Sequence, residues 1–182
     1  MKEKNLNASP LGLIGFGMTT VLLNLHNAGI IGLTPVILGM GLALGGLAQL
    51  IAGIFDFKNN NTFGGTAFIA YGSFWWSLVY IFKAGGADGT SMGFYLLLWA
   101  IFTAFMFVGT LKHDRATQIV FGSLTLLFLL LSIENFTGSE AIKLVAGIEG
   151  ILCGLSAVYT CGAKIIKEEY GRAILPIGEK NH

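Results

Sequence analysis

The chain has 182 residues, of which 54% are apolar and only 12% charged, with 26 glycines and a formal net charge of +1 at pH 7. A mean hydropathy of +0.72 excludes an ordinary soluble domain, and the near-neutral balance gives no reason to expect a nucleic-acid partner. The composition is that of an integral membrane protein.

From Leu11 to Ile54 there is no Asp, Glu, Lys or Arg, and a bilayer-spanning helix needs about 20 mostly apolar residues. Two spans are therefore expected, over about 11–27 and 35–55, with the break at Asn27, Ala28 and Gly29. Thr34 is the expected N-cap of the second helix, and Pro35 suits its first turn. Further spans are predicted over about 63–82, 92–111, 117–134 and 141–164, followed by a short tail over 167–182 that reads as an ordinary solvated end. The expectation is a single all-α membrane domain over 1–182 with six transmembrane helices. The first apolar stretch is too long for a cleavable signal peptide and lacks a clean small-residue cleavage pattern, so it is expected to persist.

Short cytoplasmic loops are enriched in Lys and Arg. Six spans place Lys2, Lys4, Lys58, Lys112, Arg115, Lys164, Lys167, Arg172 and Lys180 on the side of both termini, against Lys83 and Lys143 opposite. Nine against two predicts cytoplasmic termini. Cys153 and Cys161 lie eight residues apart on one helix, about 12 Å along its axis, too far for a disulfide.

Helical spacing defines faces. On the first helix Phe16, Thr20, Asn24 and Asn27 form one polar and aromatic stripe. Gly41, Gly45, Gln49 and Gly53 make a small-residue ridge on the second. The fifth aligns Gln118, Gly122, Thr125, Leu129 and Ser132, and the sixth aligns Gly147, Gly150, Gly154, Ala157 and Cys161. Taken singly these are packing faces. Converging, they would enclose a narrow, uncharged path for a small, weakly polar or protonatable solute. Phe94, Leu98, Phe102, Phe105 and Phe107 on the fourth helix suit lipid or a neighbouring subunit.

Glu149 is the one acid well inside a predicted span. Such a carboxyl could carry a coupling proton or could be a hydrogen-bonded structural residue. Glu134 lies near a helix end and is interfacial, while His26 reads as a hydrogen-bonded histidine at the membrane surface. With His113 in a charged loop and His182 terminal, no metal set is expected, and no cofactor or enzyme motif is present.

The stretch NASPLGLIGFGMTTVLLNLHNAG resembles the signature and first helix of the acetate uptake transporter family, the bacterial succinate–acetate permeases and their fungal relatives. GGLAQLIAGIFDFKNNNTFGGTAFIAYGSFW, FMFVGTLK and GRAILPIGE extend the likeness over nearly the whole chain. The resemblance implies a six-helix subunit in the cell membrane, assembled as a homo-hexamer, each subunit with its own acetate pathway. By motif it places a constriction at Phe16, Tyr71 and Leu124, a substrate-choice position at Ala157, and a pore-mouth motif at Asn7, Pro10, Leu11, Gly12 and Leu13. Ala8 departs from the family's proline, which should loosen the pore-mouth turn. Under this reading Thr20, Asn24 and Asn27 face the solute path. The rivals are a channel for ammonia or another small neutral solute, and a non-transporting membrane scaffold or sensor.

Overall fold

A computed structural model describes residues 6–179. Among them the chain forms six helical rods: α1 (Ser9–Asn27), α2 (Pro35–Lys58), α3 (Thr62–Lys83), α4 (Gly89–Thr110), α5 (Arg115–Thr137) and α6 (Glu140–Tyr170). Lys2, Lys4, Lys180 and His182 lie outside the described residues. α2 is continuous because Met40 and Gln49, at φ −64° and −66°, stay right-handed on either side of a π-wound segment, Gly41–Ala48. The Trp76 indole lies against that segment and donates to the Leu42 carbonyl at 3.1 Å. A Cβ on Gly46 would stand 2.0 Å from its Nε1, so only glycine admits the ring.

Asn61, Asp88, Asp114 and Ser139 begin α3 to α6, each accepting a backbone N–H from the residue three further on. Thr34 occupies the expected cap position of α2, but its side chain makes no capping bond. Its carbonyl accepts from Ile37 and Leu38 instead, and Pro35 already removes one donor that a cap would serve. α5 and α6 stop at Gly138 and Gly171, both left-handed at φ 65° and 67°. α6 thus runs past its expected end at 164, because Lys, Ile and Glu continue a helix where hydropathy marks only the end of the lipid-compatible stretch.

By length and apolar composition α2, α4, α5 and α6 can cross a membrane. α1 and α3 are the inner rods: ten of the 19 residues of α1 and ten of the 22 of α3 are buried, against 22% of the apolar window of α4. Thr19, Thr20 and Asn24 of α1 and Tyr71 of α3 dilute the hydropathy and are buried against protein.

Three of the four stripes are packing faces. α1 and α6 meet so closely that a Cβ on Gly17 would stand 2.8 Å from the Gly154 carbonyl, and one on Gly154 would stand 2.7 Å from that of Gly17. α2 turns Gly45 to Trp75 and Thr19. α5 sets Ser132 on α4, its hydroxyl donating to the Gly93 carbonyl at 2.8 Å. The four stripes do not converge around one path: only α1 brings its stripe to the cavities described below. α4 leaves Phe94, Leu98, Ile101, Phe105 and Val108 exposed along one side.

The tail is largely exposed over 168–174, but residues 176–179 dock on the bundle, so that part is no free solvated end. The first two N–H groups of α5, from Arg115 and Ala116, donate to Gly178 and Ile177, which satisfies donors that every helix start leaves open. Tyr159 donates to the Pro176 carbonyl at 2.8 Å, and Ile177 is buried. Lys167 pairs with Glu179. Asn7 and Glu179 line one open groove, so both ends of the described chain meet at the same end of the bundle.

Candidate functional site

Three cavities follow one another along α1. At the end away from the termini a vestibule of about 250 Å³ is lined by His26, Asn27, Glu134 and Lys143 among others. Leu23, Phe74 and Leu131 line both this vestibule and a second cavity of about 30 Å³. At the terminal end a third, of about 110 Å³, is lined by Ser9, Leu13, His113, Thr117 and Lys164 among others. Between the second and third lie aromatic rings, with Phe16 and Tyr71 6.2 Å apart, Tyr71 and Phe121 6.2 Å apart, and Phe121 and Phe63 5.2 Å apart.

Phe16, Tyr71 and Leu124, from α1, α3 and α5, all line the 30 Å³ cavity and are 6%, 3% and 3% exposed. The Tyr71 hydroxyl donates to Thr103 at 3.0 Å, and Thr103 donates on to the Trp99 carbonyl at 2.7 Å. That tether fixes the phenol toward α4 and leaves its ring to bound the cavity. Thr20 and Asn24 line the same cavity. Asn24 donates to the Thr20 carbonyl at 2.9 Å and accepts from Asn27 at 2.9 Å. Gly150 of α6 makes room for it, since a Cβ there would lie 2.2 Å from the Asn24 amide carbon.

The pore-mouth motif divides. Leu13 lines the terminal vestibule, and Asn7 sits on the groove at its rim, accepting from the Ser9 N–H at 3.2 Å. Pro10 is buried in the first turn, and Gly12 lies under the Phe68 ring. Leu11 is 40% exposed and lines none of the three cavities. Ala8 starts α1 in a right-handed conformation, its carbonyl accepting from Leu11 and Gly12, so hydrogen bonds hold the turn that a proline would have fixed. Ala157 is fully buried, and it too lines none of the three. Glu149 is half-buried on α6, away from these cavities, with Oε2 buried and without a partner.

Phe74, Trp75, Phe121, His113 and Lys164 were not marked as site residues by the sequence. The aromatic residues read as core, and no periodicity on α3 or α5 separates them from it. Lys164 counted only toward orientation, and His113 only toward a loop. Folding brings these two to one vestibule, where Lys164 is 3.7 Å from Asp114 and His113 stands edge-on to Phe63 at 4.7 Å. Burial pushes the His113 imidazole below its usual range; Asp114 opposes this and Lys164 reinforces it.

Among the described residues the buried side-chain atoms without a partner include Thr20 Oγ1, Gln49 Oε1, Trp75 Nε1 and Glu149 Oε2. Leaving such a group unsatisfied costs about 1–3 kcal/mol. Thr20 and Trp75 line the same 30 Å³ cavity.

Residues 1–177 match the GPR1/FUN34/yaaH family. The chain is 52% identical to the succinate-acetate/proton symporter SatP of Escherichia coli K12, over 98% of each chain. It is 41% identical to ammonia transport outward protein 2 of Saccharomyces cerevisiae, over 90% of this chain and 62% of that protein. Among solved structures, that of the bacterial acetate channel SatP superposes with a TM-score of 0.94 at 51% identity, over 96% of this chain and 100% of the other.

Proposed function

Because this chain belongs to the GPR1/FUN34/yaaH family, we propose that it is a multi-pass membrane permease for acetate and related short carboxylates, succinate among them. The observation that carries this reading is the series of cavities, with vestibules of about 250 and 110 Å³ and a waist of about 30 Å³ between them. An open scaffold has no need of such a series.

In this proposal all six rods cross the membrane, with the termini in the cytoplasm. Of the cationic residues expected on that side, Lys58, Lys112, Arg115, Lys164, Lys167 and Arg172 fall within the described residues, and only Lys83 and Lys143 face the opposite side. The exposed apolar side of α4 supports assembly as a homo-hexamer. Phe16, Tyr71 and Leu124 gate the waist, Thr20, Asn24 and Asn27 form its polar wall, and Asn7, Pro10, Leu11, Gly12 and Leu13 shape the cytoplasmic mouth. Ala157 acts on substrate choice through packing, since it lines none of the three cavities. A waist with no Lys or Arg binds an anion weakly, which lets it leave again.

SatP is named both a proton symporter and a channel, and Glu149 is the residue on which that difference would turn here. Its unpartnered buried oxygen favours a proton-carrying group. Uptake of labelled acetate into proteoliposomes, with and without an imposed proton gradient, tests the reading. Concentrative uptake only with the gradient makes the protein a symporter; equilibrating uptake indifferent to it makes it a channel. No uptake above empty liposomes rejects the permease. The name of the yeast relative favours a second reading, ammonia as solute, which predicts that ammonium and not acetate competes for the path.

A further inference from the structure

We infer that the larger vestibule, at the end away from the termini, is a charge filter that passes monocarboxylates ahead of dicarboxylates, Lys143 drawing one carboxylate in and Glu134 repelling a second. The inference rests on the carboxylate reading above and adds the residues that rank solutes within that class.

The wall of this vestibule carries one ammonium and one carboxylate, Lys143 of α6 and Glu134 of α5. The other polar side chains lining it are His26, Asn27 and Asn135, and the rest of the wall is apolar. Lys83, Asp88 and Glu140 belong to the same end of the bundle but do not line it. His26 is engaged, its Nδ1 lying 3.2 Å from the Ile31 carbonyl.

The two charges are held differently. Lys143 reaches Glu140 only at 3.7 Å, longer than a hydrogen bond, and Glu140 is 85% exposed. Such a pair is worth little, so the ammonium, on a side chain itself 37% exposed, is free to take another carboxylate. Glu134 is fixed instead: the Asn135 amide donates to its Oε2 at 2.7 Å and to the Leu131 carbonyl at 2.9 Å. Glu134 is half-buried, and Lys143 stands near enough for the two charges to act on each other.

A monocarboxylate finds its one counter-charge at Lys143 and can lay its carbon chain on the apolar wall, where Leu23 and Phe74 lead to the waist. Succinate brings two charges to a space with one ammonium. Its second carboxylate meets either Glu134 or apolar side chains, and both are unfavourable. Size does not make this choice: the vestibule holds about eight times the 30 Å³ share of one liquid water, ample for a four-carbon acid.

The test uses the purified full chain in proteoliposomes at neutral pH and low ionic strength, where screening is weakest, with labelled acetate and labelled succinate each supplied below saturation. The readout is the ratio of succinate to acetate uptake. Glu134→Gln is expected to raise that ratio about five-fold or more, the effect of removing one like charge at close range even in water. Lys143→Gln is expected to lower the ratio and to raise half-saturating acetate, since two opposite charges in one space must act with opposite sign. Glu134→Asp keeps the charge and should stay near wild type. Glu169→Gln removes an exposed charge that lines none of the three cavities and should leave the ratio unchanged. A wild-type ratio in folded Glu134→Gln or folded Lys143→Gln protein, or an equal shift in Glu169→Gln, overturns the filter while acetate uptake keeps the permease. Wild-type protein that takes up neither acid overturns both.

Discussion

α1 and α6 share a four-residue periodicity of small and polar residues, yet the two stripes do different work. The α6 stripe is consumed by contact: Gly154 and Gly17 bring two backbones together, and Gly147 lies against Asn27 and Ala28. The α1 stripe keeps Thr20 and Asn24 on an enclosed space instead. Periodicity fixes which residues share a face, while the partner decides what the face is for. Where the opposite wall is glycine the helices close; where it is Tyr71, Phe74 and Leu124 they leave a gap.

The sharpest way to break that contrast is to fill the closed seam. Gly154→Leu should force α1 and α6 apart and destabilise the fold by about 3 kcal/mol or more, beyond ordinary overpacking because backbone and not side chain stands in the way. A loss of unfolding midpoint in detergent, with assembly also impaired, is the expected result.

Changes on the open side should spare the fold and alter transport. Phe16→Ala enlarges the waist and should admit bulkier acids such as lactate, read as lactate uptake relative to acetate. Glu149→Gln, at a residue that lines none of the three cavities, should leave assembly and equilibrating flux intact and lower gradient-driven accumulation. Unchanged uptake at every pH would remove Glu149 from the mechanism.

A smaller effect is expected at the terminal vestibule. The imidazole of His113 titrates below its unfolded value of 6.5, so the unfolded chain takes up the proton first as pH falls. Its neutral form then costs stability progressively from about pH 7 downward, and the cost levels off once pH passes the lowered folded value. His113→Gln should therefore flatten the fall in unfolding midpoint between about pH 7 and pH 5. An equal slope in the variant would assign the acid sensitivity to other groups.

Much of this was legible from sequence because lipid imposes simple rules. The charge-free run to Ile54 and the glycine at Gly29 mark the first two helices, and the polar stripe of α1 is already a stripe in one dimension. Trp75 was not legible: beside Trp76, with the same chemistry, only the folded α2 shows which indole finds a carbonyl. The docking of Ile177 and Gly178 on the start of α5 was equally hidden, since a backbone carbonyl capping a distant helix leaves no signature in side chains. Family resemblance supplied Tyr71 and Leu124, which periodicity alone could not distinguish from core, and gave a role to Phe16, which periodicity had already set on the α1 stripe.

The central claim is that acetate passes the 30 Å³ waist between α1, α3 and α5. Phe16→Trp, which fills that space, should be compared with wild type for labelled acetate uptake in proteoliposomes at matched protein content and with assembly checked. Saturable uptake by the wild type and uptake near that of empty liposomes by the variant is the expected result. Equal uptake by the two would contradict the claim and send the solute by another route.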